Sequence, residues 1–232
     1  TLLQASIMER FEEKFGVSTL IETDANCAVF AEKWFVLNAN IKHMLYMYSA
    51  SSCGIIVNGD IYRGIGGNAG ILGIYEYENE KDSEDSGIQL RHFEIDKFIT
   101  SEAVQAWENG YKRDSRIFAL AGNDPEHVTS AIILNAVKEK DSLSIEIAEK
   151  AGEIFGKKLS FLINLLNPEL VVVGGGIEQA GSIFLDAIKK TLGKWALDEV
   201  ITGLKVIPTQ LGREAVAFGA AAIVVEQAFA RA

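Results

Sequence analysis

The sequence is short of the residues that would staple it. In 232 residues there are two cysteines, Cys27 and Cys53, three prolines and three histidines. Two thiols this far apart, without a Cys-x-x-Cys or Cys/His spacing, indicate neither a disulfide framework nor a zinc site, and a reducing cytoplasm is the simplest compartment. Basic charge is scarce as well: 22 Lys and Arg stand against 32 Asp and Glu, a formal net charge of -10. Nucleic-acid affinity rests on clustered Lys and Arg, so no nucleic-acid contact is expected from this segment. Long apolar runs are missing too. The nearly apolar stretch Ala215 to Val225 falls well short of the roughly 18 residues of a membrane span, and no basic-then-apolar leader opens the chain. Nothing in the sequence reads as secreted or membrane-bound.

What the chain does have is apolar mass, 48% of its residues, enough to bury a sizeable core. Leu3, Ile7, Phe11 and Phe15 have helical spacing over Leu2 to Phe15, and Gly16 stands where such a helix would stop. Val17 to Ile21 reads as a strand, after which Thr23 or Asp24 caps a helix through Ala25, Val29 and Phe30. Met44 to Ser49 and Gly54 to Val57 read as strands, and Asn58-Gly59 before Ile61 is a two-residue hairpin signal. Glu76 to Ser86 holds six acidic residues and one basic one, the mark of a solvated loop. Helices are expected over Ile99 to Trp107, Pro125 to Lys138 and Leu143 to Leu166. A buried strand, Glu169 to Val173, leads through Gly174-Gly175-Gly176 to a helix ending near Leu192. A last strand, Leu204 to Pro208, precedes the small-residue helix Arg213 to Phe229, one face of which is nearly flat at Ala215, Gly219 and Ala222. This order predicts a mixed α/β sheet layered by helices.

Three segments could carry chemistry, and each has a plain structural alternative. The turn Glu22-Thr23-Asp24-Ala25-Asn26 lies where α/β proteins place ligands, and Asp24 could draw a proton from a sugar hydroxyl. It could equally serve as a helix cap. The loop Tyr62 to Gly70 offers flexible backbone at Gly66 and Gly67 and a donor-acceptor side chain at Asn68, or it is a turn packing one layer on the next. Gly174, Gly175 and Gly176 could admit a nucleotide or another polar ligand to the backbone, or could simply make a tight turn.

Taken in order, these segments resemble the ROK family of sugar-responsive repressors and sugar kinases. The resemblance runs through residues 22–26, Ile55-Ile56-Val57-Asn58-Gly59 with Arg63 to Gly70, Leu165-Leu166-Asn167-Pro168-Glu169 to Gly176, and Leu211-Gly212-Arg213-Glu214 to Gly219-Ala220-Ala221-Ala222. It implies an actin-like ATPase (ribonuclease H-like) lobe. It also implies that residues 1–232 form a single C-terminal domain, without the N-terminal lobe that carries the family's first phosphate loop and without a winged-helix DNA-binding domain.

The departures point away from catalysis. The family's kinases usually carry Asn before the catalytic Asp, and here Thr23 precedes Asp24. Ile71 and Ile74 stand where the resemblance implies Glu and His holding sugar hydroxyls, and aliphatic groups leave a buried hydroxyl unpaired. Tyr48-Ser49-Ala50-Ser51-Ser52-Cys53 replaces the phosphate-binding glycine loop, with Tyr48 near an expected glycine. The interval between Gly73 and Phe93 contains no cysteine, and His92 stands alone, so no metal site is expected. The expected function is therefore a ligand-sensing, homodimerising module of a transcriptional regulator, without a cofactor. Its ligand, a sugar or sugar derivative, would sit between Thr23-Asp24 and Gly66-Gly67-Asn68, with Gly174 to Gly176 as a nucleotide-loop remnant. The alternative is a kinase using ATP with Mg, in which Asp24 is the general base and the triglycine flanks adenosine.

Overall fold

The computed structural model describes residues 2–37, 40–49, 51–75, 90–92 and 94–230. Helix α1 (Leu2–Phe15) ends at Gly16, whose φ of +68° suits the residue after a helix. Residues 17–21, expected as a strand, form none. Val17, Leu20 and Ile21 are exposed, and the Thr19 amide donates to the Glu12 carboxylate at 2.9 Å. A β-prone composition without a neighbouring strand supplies no ladder, so local preference alone does not make one. In α2 (Asp24–Ala31) the capping acceptor is the Thr23 hydroxyl, which receives the Asn26 amide at 3.3 Å, so Asp24 is the first helical residue and not the cap. The helix widens into a π turn over Glu32–Val36, where the Leu37 amide donates to the Glu32 carbonyl five residues back.

A five-stranded sheet has the order β3-β2-β1-β6-β7. Strands β1 (Met44–Tyr48) and β2 (Ser52–Val57) are antiparallel, and β3 (Asp60–Ile61) continues from β2. The expected hairpin is present: Val57 faces Asp60, with Asn58 and Gly59 at φ +55° and +95°. Those angles are what a tight two-residue turn requires. Strands β6 (Leu170–Gly174) and β7 (Lys205–Pro208) run parallel to β1, which brings Tyr48 opposite Gly174 at their C-terminal ends. A separate pair joins β4 (Gly73–Tyr75) and β5 (Leu90–His92), and the acidic stretch Glu76 to Ser86 lies outside the described residues.

Both faces of the sheet are buried, and the strands show it in alternation. Leu45, Met47, Val171 and Val173 point into the larger core, beneath α3 (Ile95–Glu108), α4 (Arg116–Leu120), α5 (Ser130–Lys138), α6 (Ser142–Leu166) and α7 (Ser182–Trp195). Met44, Tyr46, Leu170 and Val172 point the other way, toward α2 and α9 (Ala215–Ala230). The period of two thus builds a sheet layered by helices on both sides.

Two expected helices are interrupted. Pro125–His127 is a short 3-10 turn, Val128 is extended, and Thr129 caps α5 afresh. After the triglycine, the chain makes a 3-10 turn at Ile177–Ala180 and passes through Gly181 at φ +70° before α7 begins. Short helix α8 (Asp198–Ile201) and α4 had no apolar period long enough to announce them. Among the described residues, no helix is long and apolar enough to cross a membrane.

Candidate functional site

The Asp24 turn and the glycine loop meet at the start of β2. A Cβ on Gly54 would lie 2.1 Å from the Ala25 carbonyl oxygen and 2.8 Å from the Val29 Cβ, so the missing side chain lets α2 lie directly on the strand. On the far side of α2, a Cβ on Gly219 would lie 1.8 Å from the Cys27 carbonyl oxygen, which is why the flat face of α9 fits there. A Cβ on Gly70, which has φ +86°, would lie 1.8 Å from the Cys53 carbonyl oxygen, and the Cys53 amide donates to the Gly70 carbonyl at 2.7 Å. The loop thus packs onto the residue beside the one that carries α2. Gly70 serves the packing role, while Gly66 and Asn68 remain exposed.

An ion pair fixes the two segments in register. The Arg63 Nε lies 2.6 Å from the Glu22 carboxylate, whose other oxygen accepts from the Thr23 amide at 3.0 Å and the Asn26 side chain at 2.8 Å. Asn26 is fully buried beneath the turn, whereas Asp24 is exposed at the first turn of α2. Ile71 is about half exposed and bridges to Ser52. The backbone of Ile74 lies in β4 opposite Arg91.

The triglycine lies across the sheet. A Cβ on Gly174 would come within 2.0 Å of the Tyr46 phenol oxygen, and one on Gly175 within 2.2 Å of the Ser49 hydroxyl. Ser49, in a left-handed conformation at φ +48°, donates its amide to the Gly174 carbonyl at 3.1 Å and its hydroxyl to the Gly175 carbonyl at 2.9 Å. The first two glycines therefore make room for this chain's own side chains. Gly176, at φ +110°, donates its amide to the Glu178 carboxylate at 2.7 Å.

Beside this turn lies a cavity of about 330 Å³, lined by Tyr48, Asp96, Ser130, Asn135, Gln179 and Arg213 together with Gly175 and Gly176. Burial pushes the Tyr48 phenol up, and the carboxylates of Asp24, Glu178 and Asp96 add to the effect, so its ring lies in the field of both half-sites. Burial likewise raises Glu178, with Asp96 adding to it and Arg213 opposing it. Arg213 is positioned through Glu32. That fully buried carboxylate accepts from the Gln210 and Leu211 amides at 2.9 and 3.1 Å and from the Thr209 hydroxyl, which holds the segment ahead of Gly212–Glu214.

The sequence reading assigned no role to Glu22, Arg63, Glu32 or Glu178. Glu22 and Arg63 are 41 residues apart and Glu32 is about 178 from its partners, so no local period could have paired them. Glu178, two residues past the triglycine, was the one with a local signal. Among the described residues, no group of three or more His, Cys, Asp or Glu side chains is arranged to hold a metal ion.

The fold agrees with what the chain resembles among known proteins. The ROK family model matches residues 1–227, and the chain belongs to that family. It is 26% identical over 223 residues to a glucokinase of Halalkalibacterium halodurans, covering 95% of this chain and 68% of that protein. It is 28% identical over 222 residues to the DNA-binding transcriptional dual regulator NagC of Escherichia coli, covering 94% of this chain and 52% of the regulator. The chain therefore spans about half the length of that regulator. Among solved structures, the fold matches a ROK family glucokinase from Streptomyces griseus in complex with glucose and AMPPNP, with a TM-score of 0.77 and 22% identity over 93% of this chain and 71% of that one. It also matches a ROK family transcriptional regulator homologous to Escherichia coli MLC, with a TM-score of 0.75 and 21% identity over 93% of this chain and 54% of that one. Actin-like architecture is thus common to both functional branches, and membership alone does not choose between them.

Since a kinase of the family binds a nucleotide, the fit of nucleotide phosphates can be tested on this chain's own residues. A phosphate cradle needs open backbone N–H groups. Here the turn after β1 is closed by Ser49 onto Gly175, the Tyr48 ring borders the cavity, and the Gly176 amide already holds a carboxylate. These residues do not fit a phosphate at this turn.

Proposed function

We propose that this chain is the ligand-sensing and dimerising part of a ROK-family transcriptional regulator whose phosphotransfer site is degenerate. The observation that carries this reading is the crossing from β1 to the triglycine. Ser49 bonds there to the Gly174 and Gly175 carbonyls, in space that a phosphate cradle would leave open. The frame around Asp24 is kept by contrast, with Glu22, Asn26 and Arg63 tied together. A protein that needs a ligand-dependent shape but no turnover can lose the first and keep the second. The ligand would be a sugar or sugar derivative held between Thr23-Asp24 and Gly66-Gly67-Asn68, with Ile71 making part of the wall apolar.

Self-association belongs to the same proposal. Phe161 and Leu165 near the end of α6, with Trp195 at the end of α7 and Leu197 just after it, form an exposed apolar strip drawn together by Asn164, which bonds to the Trp195 carbonyl and the Leu197 amide. A second copy would cover such a strip. Light scattering should give twice the chain mass, and a strictly monomeric mass at high concentration would refute this part.

The second reading is an ATP-dependent sugar kinase, favoured by the exposed Asp24 at the first turn of α2. A coupled assay over hexoses and pentoses with ATP and Mg separates the two. Saturable binding of a sugar by calorimetry without turnover supports the sensor. Turnover that disappears in Asp24→Ala establishes the kinase.

A further inference from the structure

Strand β1 runs between the strands that carry Gly54 and Gly174, and two buried polar groups on and beside it are unmet. Glu32 and Tyr46 are both fully buried, and neither the Glu32 Oε2 nor the Tyr46 hydroxyl has a hydrogen-bond partner among the described residues. A carboxylate survives burial only when its oxygens are supplied with donors. Oε1 is well supplied, by the Gln210 and Leu211 amides at 2.9 and 3.1 Å and by the Thr209 hydroxyl. The two unmet groups are complementary, since a carboxylate accepts and a phenol can donate. They also share a neighbour. Burial pushes the Tyr46 phenol up, the Thr209 hydroxyl that bonds to Glu32 eases it, and the Glu32 charge raises it further.

We propose that Tyr46 supplies, directly or through one enclosed water, the donor that Glu32 Oε2 needs, and that the resulting Glu32–Tyr46–Thr209 link makes α2 and residues 209–214 move as one body. Four segments meet at this link. Glu32 follows α2, the helix whose first turn carries Asp24. Thr209 ties its amide to the Val173 carbonyl of β6 at 2.8 Å, and its hydroxyl accepts the Gly212 amide at 3.1 Å, next to Arg213 in the cavity wall. Tyr46, on β1, extends to Gly174, where a Cβ would lie 2.0 Å from its phenol oxygen, so the first glycine of the triglycine is what lets the phenol reach the link. A shift of α2 caused by a molecule at the Asp24 turn is then carried to the Gln210 and Leu211 amides and, through Gly212, to the turn that bears Arg213. The link serves either functional reading, because sensor and kinase alike place their sugar at the Asp24 turn.

Tyr46→Phe removes one oxygen and keeps the ring. If the hydroxyl has no partner, the change is neutral or stabilising; if it serves Glu32, the change leaves a buried carboxylate oxygen bare. The test is native-state hydrogen exchange of the full chain followed by NMR. The Gln210 and Leu211 amides report on one side of the link, and the Leu37 amide, which donates to the Glu32 carbonyl at 2.8 Å, reports on the other. The Ser144 amide, held by Asp141, is the reference. In the parent the three reporters should open together, with the same dependence on low urea. Tyr46→Phe should lower the protection of all three by about tenfold relative to Ser144, the loss expected for one hydrogen bond to a charged group. In a Glu32→Gln background, which keeps an acceptor for the amides but drops the charge, Tyr46→Phe should have a much smaller effect. Thr209→Val, which removes the third member, should lower the same reporters and covers the case in which Glu32→Gln does not fold. Unchanged or increased protection of Gln210 and Leu211 in Tyr46→Phe overturns the donor. Different urea dependences in the parent, or a loss that spares Leu37, overturn the joint movement. The measurements use no sugar, so they are decided separately from ligand binding at the Asp24 turn.

Discussion

Gly54 and Gly174 stand on the two strands that flank β1, and at each a methyl group would collide with something at about 2 Å. What they admit is different. Gly54 admits backbone, letting α2 lie on the sheet so that the Asp24 turn faces outward with its ion pair to the loop beyond. Gly174 admits the Tyr46 ring and Gly175 admits Ser49, so the glycines of the triglycine are spent on this chain's own side chains. The same residue type therefore seats a helix on one side and makes room for the chain's own side chains on the other.

The sharpest break of this contrast is Gly54→Ala. Its Cβ meets main chain, which cannot step aside, so a loss of about 3 kcal/mol or more is expected in urea unfolding. If the variant is as stable as the parent, α2 is not seated as described. Gly174→Ala should cost less, about 2 kcal/mol, because the obstacle is a side chain, and adding Tyr46→Phe should restore part of it. Strict additivity of the two substitutions would mean that Gly174 is not there for Tyr46.

Asp141 supplies a reference outside both half-sites. It caps α6 through the Ser144 amide at 2.9 Å and also accepts from the Arg116 amide and the Ser115 hydroxyl. Asp141→Ala should lose about 1 kcal/mol in the same unfolding experiment. Burial alone would raise the Asp141 carboxyl, but those hydrogen bonds outweigh it and hold the group below its ordinary value of 3.8. Its contribution is therefore present above that value and is lost as pH falls through the lower folded one. Asp141→Asn should flatten the acid limb of the stability curve.

Arg63→Gln should cost under about 1 kcal/mol of stability, since the guanidinium is partly exposed, yet should weaken sugar binding at the Asp24 turn by more than that. Equal losses in melting and in calorimetry would reduce the ion pair to scaffolding. The smallest effect is a matter of sign. Glu178 is raised above its ordinary value of 4.5, first by burial, so the stability linked to its protonation is present in full below that value and is lost as pH rises through the folded one. Stability of Glu178→Gln relative to the parent should accordingly grow between those two points, opposite to the acid-limb behaviour of Asp141. A pH-independent difference would mean that the Glu178 charge is not buried as described.

Much of this molecule could be read from residues in order. The hairpin at Asn58-Gly59 was legible because only certain residues accept two positive φ angles in succession, and α6 because its apolar period persists for 25 residues. The alternating core strands and the family resemblance followed from patterns of the same local kind. Residues 17–21 misled because strand composition carries no information about whether a partner strand lies alongside. Pro125 misled in the other direction, since the restart of the helix depended on Thr129 capping it and not on the apolar spacing.

By itself, the sequence determined the α/β layering, the family, and the positions of the Asp24 turn, the glycine loop and the triglycine, because each is written in periodicity or in a short motif. Which glycines make room for a neighbour was decided only in three dimensions, where Tyr46 and Ser49 occupy the room at Gly174 and Gly175. The same holds for the charges. Glu22 meets Arg63 and Glu32 meets the Gln210 and Leu211 amides across long stretches of chain, because packing, and not sequence distance, brings a carboxylate to its donor.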